Sequence, residues 1–476
     1  MALTYYFHDY ETFGADPRRD RPSQFAGIRT DADFNVIGEP TVLYCQPPAD
    51  YLPDPEACLI TGITPQLALD KGVREAEFAA RIQCELSQPQ TCALGYNSIR
   101  FDDEFTRHLL YRNLYDPYER EWQGGNSRWD LIDLTRLVYA LRPDGIEWPR
   151  QEDGRASFRL ERLTAANGLV HEHAHDALSD VHATIALARL LRESKPRLFE
   201  FLRANRDKRS ARELLAVGSW KPLLHVSEKY PASRGCLAVV VALAPHPENG
   251  NGVLVYDLSS APDPLIESDS AEIRRRLFTP MVQLAEGETR IPLKTVHVNK
   301  CPVLAPLSAL RPEDAERLGI DLAVCLRHLE QLKQAENLAE KLHDVFTREE
   351  APPADPELAL YSGFLGDRDR RELIRLRNLP PEKLAFQHPD FDDSRLPELL
   401  FRYRARNWPD SLNAEEKDRW EEFRRTRLCG PSLGGLTFDE YRRKLKTLRA
   451  EWSGDADKTA VLDALERYPE TLDIIE

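Results

Sequence analysis

The 476-residue chain carries 64 Lys and Arg against 79 Asp and Glu, a formal net charge of −15, with 42% hydrophobic residues. This length favours two to four domains, and no run approaches the roughly 18 apolar residues of a membrane span, which argues against a membrane protein. The acid excess is concentrated in residues 1–195, where 21 Lys and Arg stand against 31 Asp and Glu. Net charge therefore neither supports nor excludes a nucleic-acid partner.

The eight cysteines are scattered and form no CxxC pair. This spacing argues against structural zinc and against a disulfide framework, and it is typical of a reducing compartment. The first residues lack a basic and apolar leader with a cleavage site, so we expect an unprocessed, cytoplasmic protein.

The first part of the chain alternates strand and helix patterns. Residues 4–10, 25–30 and 34–45 alternate apolar and polar side chains, as strands do. The stretch "CALGYNSIRFDDEFTRHLLYRNL" predicts a strand, a turn and then a helix from about Asp102. Further helices are predicted in "RLERLTAANG" and "HDALSDVHATIALARLLRES". These patterns predict an α/β domain over residues 1–195.

The rest of the chain changes from strands to helices. The charged stretch "RANRDKRSARE", residues 203–213, is typical of a connector, and "CLAVVVALA", "GVLVYDLS" and "LKTVHVNKCPVLAP" are β-rich. Helical patterns and a proline-rich linker follow, and from about residue 357 the spacing is helical almost throughout. We therefore predict a mixed-β domain over residues 196–350 and an all-α domain over residues 351–476.

Asp9 and Glu11 stand two positions apart in the strand-like stretch "YFHDYETFG". Residues i and i+2 of a strand point to the same side, so both carboxylates are directed at one point. Two like charges raise each other's pKa unless a cation lies between them, and a hard divalent cation is the simplest one. Two solvated acids on an edge strand would be the alternative.

Two further stretches carry acids at helix starts. In "GYNSIRFDDEF" an Asn precedes a Phe-Asp pair by four residues, and Asp102 opens a helix; an acidic first turn suited to the helix dipole is the alternative. In "HEHAHDALSDVHATI" His175 precedes Asp180 by five residues, with His171 and His173 as neighbours that do not fit this spacing.

The three motifs in this order resemble the proofreading-type 3′→5′ exonucleases, whose four acids and one histidine bind two metal ions. The resemblance maps the metal-binding acids onto Asp9, Glu11, Asp102 and Asp180, and the general base onto His175. Asp103 does not fit the spacing.

A closer resemblance extends over essentially the full chain. The segments "NSRWDLIDLTRLVYALRPDGIEWP", "SFRLERLTAANG", "KPLLHVS" and "FRYRARNWP" look like parts of bacterial exonuclease I. Similarity to that family implies an RNase H-like exonuclease domain, an SH3-like mixed-β domain and an all-α C-terminal domain. It also implies processive 3′→5′ degradation of single-stranded DNA to 5′-mononucleotides in DNA repair and recombination, by a monomer.

The ligand set predicts the mechanism. Two Mg²⁺ ions roughly 4 Å apart, with Mn²⁺ as a substitute, would flank the scissile phosphate, one activating the attacking water and the other stabilising the leaving 3′ oxygen. His175 would accept the proton of that water.

Residues near the catalytic motifs are predicted to hold the DNA. Tyr10 and Phe13 flank the acids and could stack on terminal bases, although aromatic residues beside a strand are more often core. Glu11 and Asn97 would contact the terminal nucleotide, with a simple turn role as the alternative for Asn97. Arg159 would contact a phosphate, and a solvated surface arginine is the alternative.

Resemblance to exonuclease I also implies a protein partner, the acidic, Phe-ended C-terminal tail of single-stranded DNA-binding protein. Such a tail needs cations for its carboxylates and an apolar pocket for its aromatic end. Arg142 and Lys221 lie in segments that match the family, and Phe201 would line the pocket. Ordinary surface cations are the alternative.

Two alternative functions are compatible with parts of this pattern. An oligoribonuclease or a polymerase-type proofreading subunit would use the same residues on RNA or DNA, but the 281 residues after Lys195 exceed what such enzymes usually carry. A DNA-end-binding scaffold with a decayed site is disfavoured because all five catalytic positions are occupied.

Overall fold

A computed structural model describes residues 2–171, 175–347, 355–430 and 434–474. The chain forms two compact units. The first contains residues 1–128, 171–182 and 351–476, and the second contains residues 129–170 and 183–350. The C-terminal segment thus shares a unit with the N-terminal sheet.

The N-terminal sheet has five strands in the order β3-β2-β1-β4-β5. Its strands are β1 (Thr4–Thr12), β2 (Pro22–Thr30), β3 (Thr41–Tyr44), β4 (Thr91–Gly95) and β5 (Ser127–Asp130). The central strand β1 runs antiparallel to β2 and parallel to β4. It is largely buried because aromatic side chains cover both of its faces: Phe7 packs against Phe34, and Tyr10 packs against Phe25.

Among the described residues up to 194, seven α-helices lie between or after these strands in the chain. They are α1 (Pro55–Thr61), α2 (Pro65–Lys71), α3 (Glu75–Leu86), α4 (Asp102–Arg112), α5 (Leu131–Leu141), α6 (Leu160–Ala166) and α7 (Ala177–Ser194). Gly168, which the sequence predicts as the end of α6, has a left-handed φ of 64° two residues past the last helical residue.

The second sheet has the order β10-β6-β7-β8-β9, and every adjacent pair is antiparallel. Its strands are β6 (Leu223–Val226), β7 (Leu237–Pro245), β8 (Gly252–Asp257), β9 (Leu293–His297) and β10 (Leu304–Pro306). Before, between and after these strands lie α8 (Pro196–Ala204), α9 (Lys208–Leu215), α10 (Asp263–Glu267), α11 (Ser270–Phe278), α12 (Pro312–Arg317), α13 (Leu322–Gln334) and α14 (Leu338–Phe346).

The described part of the C-terminal segment is helical, as predicted. Its helices are α15 (Asp367–Arg377), α16 (Pro381–Leu384), α17 (Leu396–Asn407), α18 (Ala414–Cys429), α19 (Phe438–Glu451) and α20 (Ala456–Arg467). Tyr441 and Leu465 join one hydrophobic core with Phe13, Tyr51 and Leu59, so these helices are packed on the N-terminal part of the chain.

Two expected elements differ from the structure. The predicted connector over residues 203–213 contains most of helix α9, because Asp207 caps its first turn and Ala211 and Leu215 are buried. The predicted strand over residues 34–45 is confined to β3, because Phe34 and Gly38 adopt positive φ angles and form a turn.

Candidate active site

Strand β1 carries two carboxylates on one face. Asp9 is half-buried and Glu11 is 7% exposed; they stand opposite Ala26 and Gln24 of β2. The register shifts between Glu11 and Thr12, so the ladder is irregular where the acidic face ends. Neither Asp9 nor Glu11 forms an ion pair with a Lys or Arg of the described residues.

Helix α4 brings a third carboxylate to the same strand. Asp102 is the first residue of α4, and its Oδ1 accepts a hydrogen bond from the backbone N–H of Tyr10 at 3.0 Å. Because Tyr10 lies between Asp9 and Glu11, this bond fixes Asp102 beside both of them.

The start of helix α7 is attached to the sheet by Gln24. Its Oε1 accepts from the backbone N–H of Ala177 at 3.2 Å, and its Nε2 lies 3.5 Å from Asp176 Oδ2. Asp176 in turn accepts from the backbone N–H of Ser179 at 3.1 Å. Sequence reasoning missed Gln24, and the local pattern of β2 gives no signal for it.

The bond between Gln24 and the start of α7 places the last two predicted residues, His175 and Asp180, next to Glu11. Ligand atoms of Glu11, His175 and Asp180 lie within 4.8 Å of one another, and the His175 side chain is exposed. His175 has a positive φ of 67°, in the turn that leads into α7.

His171 also contacts this group. Its Nε2 lies 2.6 Å from Asp180 Oδ1, and its side chain is 4% exposed. Spacing alone assigns His171 no role, because His171 precedes Asp180 by nine residues rather than five. His173 lies outside the described residues.

The carboxylates of this acidic site disfavour one another's charge. Burial, followed by the charges of Asp102, Glu11 and Asp180, raises the pKa of Asp9 well above its ordinary value. Burial together with Asp180 and Asp176 raises the pKa of Glu11 to about 8. Burial also raises the pKa of Asp180, against the opposing hydrogen bond from His171. Such a set of oxygen ligands fits hard divalent cations, which would supply the missing positive charge.

Asp103 has different surroundings from its neighbour Asp102. Its two carboxylate oxygens lie 2.7 Å from Arg120 and 2.8 Å from Arg128. Burial alone would raise the pKa of Asp103, but the two guanidinium groups outweigh it and hold the pKa well below its ordinary value. Both oxygens of the Asp103 carboxylate are therefore paired with arginines.

Tyr10 and Phe13 are only 3% and 1% exposed. The Tyr10 hydroxyl accepts a hydrogen bond from Thr106 Oγ1 at 3.0 Å, and Phe13 lies in the core shared with the C-terminal helices. Neither ring can stack on a base without leaving its core. The prediction that they contact the substrate through their rings is therefore not supported, and packing explains both residues.

Asn97 lies in a turn with its backbone hydrogen-bonded, whereas the Arg159 side chain is exposed. Asn97 has a left-handed φ of 65° in the turn between β4 and α4, where its carbonyl accepts from the Arg100 N–H at 3.2 Å. Arg159 precedes α6 with a side chain that is 73% exposed and lies 3.8 Å from Glu161.

The predicted partner-binding residues lie in the second unit. Arg142 follows α5; it lies 3.2 Å from the buried Asp314, which also pairs with Arg311 at 2.7 Å and Arg317 at 3.3 Å. Three cations thus share one buried carboxylate. Lys221 is exposed, and Phe201 is half-buried on α8, which packs against α5.

Comparison with known proteins decides the family. Residues 6–188 match the family described as Exonuclease, residues 206–348 the Exonuclease I SH3-like domain, and residues 354–472 the Exonuclease I C-terminal domain. Exodeoxyribonuclease I of Escherichia coli (strain K12) is 49% identical, and the alignment covers 98% of each chain. The chain belongs to the exonuclease I family. The predicted resemblance, fold class and enzyme class are confirmed.

Solved exonuclease I structures share the whole fold. The moderately thermophilic exonuclease I of Methylocaldum szegediense superposes with a TM-score of 0.95 at 57% identity, covering 99% of this chain and 100% of that one. E. coli exonuclease I in complex with a dA16 oligonucleotide also gives a TM-score of 0.95, at 48% identity and the same coverage. A zinc-ion-bound form of the E. coli enzyme with single-stranded DNA is equally similar, with a TM-score of 0.95. None of the helices in the described part of the chain is long and apolar enough to cross a membrane.

Proposed function

We propose that this chain degrades single-stranded DNA processively from its 3′ end and releases 5′-mononucleotides, by hydrolysis at the acidic site. The observation that carries the proposal is the convergence of Asp9, Glu11, Asp102 and Asp180 with His175 in an exonuclease I fold. Relatives of the same fold have been solved with single-stranded DNA.

The four carboxylates would hold two Mg²⁺ ions, with Mn²⁺ as a substitute. When bound, these ions supply the positive charge that stabilises the attacking and leaving oxygens of the displaced phosphate. The raised pKa values of Asp9 and Glu11 support this assignment, because carboxylates that resist ionisation together become stable anions once cations neutralise them.

His175 would take the proton from the attacking water. Its ring lies at the carboxylates of Glu11 and Asp180 and is exposed, so it can pass the proton on to solvent. His171 would act differently, since its hydrogen bond to Asp180 orients that carboxylate. Glu11 and Asn97 would contact the terminal nucleotide, and the exposed Arg159 would meet a phosphate.

The test is digestion of 5′-labelled oligonucleotides. We expect Mg²⁺-dependent shortening of single-stranded DNA from the 3′ end, little cleavage of duplex DNA or RNA, and none in EDTA. Excess unlabelled DNA added after the start should leave engaged strands fully degraded if the enzyme is processive. Faster cleavage of RNA would favour the oligoribonuclease alternative, and binding without cleavage would favour the scaffold alternative.

We also propose that the acidic, Phe-ended tail of single-stranded DNA-binding protein docks at Arg142, Lys221 and Phe201. Arg142 belongs to a group of three arginines around Asp314. Glu313 lies 3.2 Å from Arg311, so the arginines outnumber these two carboxylates by one, and this positive charge favours the carboxylates of a tail. Phe201 on the adjacent helix α8 keeps part of its ring accessible for an aromatic partner.

The double variant Arg142→Glu with Lys221→Glu should bind a labelled tail peptide at least about tenfold more weakly, and the difference should shrink at high salt. Cleavage of naked DNA should be unchanged. A matched control is Arg209→Glu, which changes an exposed arginine of the same unit whose side chain pairs with Glu213. Equal tail affinity in the double variant would refute this docking site.

The proposed setting is a cytoplasmic monomer that acts in DNA repair and recombination. None of the eight cysteines, all of which lie in the described part of the chain, forms a disulfide bond, and this supports a reducing compartment. The curated relatives at 46–49% identity are bacterial exodeoxyribonucleases I. Sedimentation of the purified protein with and without DNA tests the monomeric state.

A further inference from the structure

A second group of charged side chains is buried in the first unit, and none of its members belongs to the acidic site. It consists of four arginines and three carboxylates whose side chains are at most 4% exposed: Arg21, Arg112, Arg406, Arg427, Asp50, Glu75 and Glu357. We call it the buried arginine cluster. It joins the N-terminal part of the chain to the C-terminal helices.

Each carboxylate of the cluster bridges arginines. Arg406 donates to both oxygens of Asp50, at 3.0 and 2.7 Å, and also to Glu357. Arg427 lies 3.4 Å from Asp50 and 3.5 Å from Glu357.

The other two arginines share a carboxylate oxygen. Arg112 Nη2 lies 2.8 Å and Arg21 Nε 3.9 Å from Glu75 Oε1, and Arg21 Nη2 reaches Glu357 at 3.3 Å. The two guanidinium groups are therefore close to each other.

The cluster has one positive charge too many. Four guanidinium groups face three carboxylates among the described residues. The adjoining Arg402 lies 3.8 Å from Glu357, 2.7 Å from Asp355 and 2.8 Å from Glu398. Because Glu398 also pairs with Arg419, these two arginines and two carboxylates balance each other, and the excess charge of the cluster remains. Arginine does not lose its proton in proteins, so the excess cannot be removed by titration. The carboxylates are already ionised, since the arginines outweigh burial and lower the pKa values of Asp50, Glu75 and Glu357.

Unused donors mark where the compensating charge belongs. Nε and Nη1 of Arg21 and Nε and Nη1 of Arg112 are fully buried, and no described residue accepts a hydrogen bond from them. The Tyr51 ring lies 5.8 Å from the Arg21 guanidinium and offers a weak cation–π contact but no acceptor for these N–H groups. Buried donors and a buried charge without partners are both unfavourable, and a single anion would satisfy both.

We propose that the buried arginine cluster binds one small monovalent anion, of the class of chloride, between Arg21 and Arg112. The charge excess of one sets the valence, and full burial of the donor nitrogens restricts the size. Glu357, Arg406 and Arg427 belong to the C-terminal segment of the chain, and their partners lie within residues 21–112. The anion would therefore stabilise the packing of the C-terminal segment on residues 21–112. It has no part in the nuclease reaction.

The first experiment uses the wild-type protein and bromide as the probe. Crystals soaked in bromide should show an anomalous peak within hydrogen-bond distance of Arg21 and Arg112. In solution, replacing acetate by chloride at constant ionic strength should raise the unfolding temperature by about 1–2 °C for each tenfold increase in chloride above its dissociation constant.

Two variants separate this site from general salt effects. Arg112→Met removes the excess charge, so its unfolding temperature should no longer differ between chloride and acetate. The control Arg404→Met removes another buried arginine, which forms a balanced pair with Glu416 at 2.7 Å. This variant should unfold at a lower temperature but keep the chloride dependence. If Arg112→Met fails to fold, the bromide soak and the chloride dependence of wild-type unfolding still test whether the anion binds.

Two outcomes would overturn the proposal. A wild-type protein with no bromide peak and equal unfolding temperatures in both salts would mean that water or the chain itself completes the cluster. A bromide peak without any dependence of unfolding on chloride would be binding at crystal concentration only.

Discussion

Asp102 and Asp103 are adjacent in the chain, yet their carboxylates have opposite environments. Asp102 is held beside β1 by the Tyr10 N–H, whereas Asp103 is fixed by Arg120 and Arg128. Sequence spacing selected Asp102, but it could not show that the neighbouring acid is neutralised by two arginines from residues 120–128. The contrast makes the pair a direct test of the site.

We expect Asp102→Asn to lower kcat by more than about 100-fold, with little change in the free energy of unfolding. Losing a residue that only orients a metal ligand typically costs about 10–100-fold, so a larger loss indicates direct metal binding. Asp103→Asn should instead destabilise the fold by about 3–5 kcal/mol, because it leaves two buried arginines short of a counter-charge. Steady-state kinetics and urea unfolding of both variants provide the measurements. Normal turnover in Asp102→Asn would remove this residue from the site.

Substitution of His175 and substitution of His171 should affect different properties of the enzyme. His175→Ala should lower kcat by about 10²–10⁴-fold at saturating metal, as expected when a general base is lost. His171→Asn should mainly weaken metal binding, by about 10–100-fold, because it loses the hydrogen bond that orients Asp180. Metal titrations of activity separate the two effects. If excess Mn²⁺ restored His175→Ala, His175 would not be the base.

Glu11 makes the metal-free protein sensitive to pH. Its pKa is raised from 4.5 to about 8 in the folded protein, so its stabilising contribution is complete below pH 4.5 and is lost as the pH rises through 8. Glu11→Gln removes this dependence. In EDTA, the variant should therefore gain at least about 1 kcal/mol relative to wild type between pH 5 and 8, since one pKa unit corresponds to about 1.4 kcal/mol.

Urea unfolding at pH 5, 6.5 and 8 checks this difference, and adding Mg²⁺ should reduce it by stabilising the ionised wild-type site. Parallel stability curves for wild type and variant would show that the Glu11 carboxyl is not strained by its neighbours.

At the scale of elements, the sequence predicted β1, the start of α4 and the start of α7 because their signals are local. Strand alternation placed Asp9 and Glu11 on one face, and the β4–turn–α4 pattern placed Asp102. The bond that attaches α7 to the sheet spans 153 residues, from Gln24 to Ala177, and no local pattern encodes it. The same is true of the contact between His171 and Asp180.

Gln24 therefore gives a prediction about the position of a helix. Gln24→Leu removes the acceptor for the Ala177 N–H and the contact with Asp176. The first turn of α7 should therefore be less stable, and activity should fall by about 10–100-fold. The exposed Gln88→Leu is a control that should change nothing. Hydrogen exchange of residues 177–182 checks the mechanism: protection should drop in Gln24→Leu only. Unchanged exchange with low activity would assign Gln24 to another role.

At the scale of the molecule, the sequence predicted three consecutive domains, and the family comparisons identify an exonuclease, an SH3-like and a C-terminal domain in that order. The compact units do not follow the chain in this way, because the C-terminal helices share a core with Phe13 and Tyr51. Contacts such as Asp50 with Arg406, 356 residues apart, explain why composition and periodicity could not reveal this packing. The predicted boundaries at residues 195 and 350 stay predictions.

Anomalous diffraction from Mn²⁺-soaked crystals with a bound oligonucleotide would show whether the acidic site holds two metal ions. Two manganese peaks should lie among the oxygens of Asp9, Glu11, Asp102 and Asp180, roughly 4 Å apart. A site with no manganese, a single ion at full occupancy with substrate bound, or ions bound at Asp103 instead would rule out a two-metal centre at these four carboxylates.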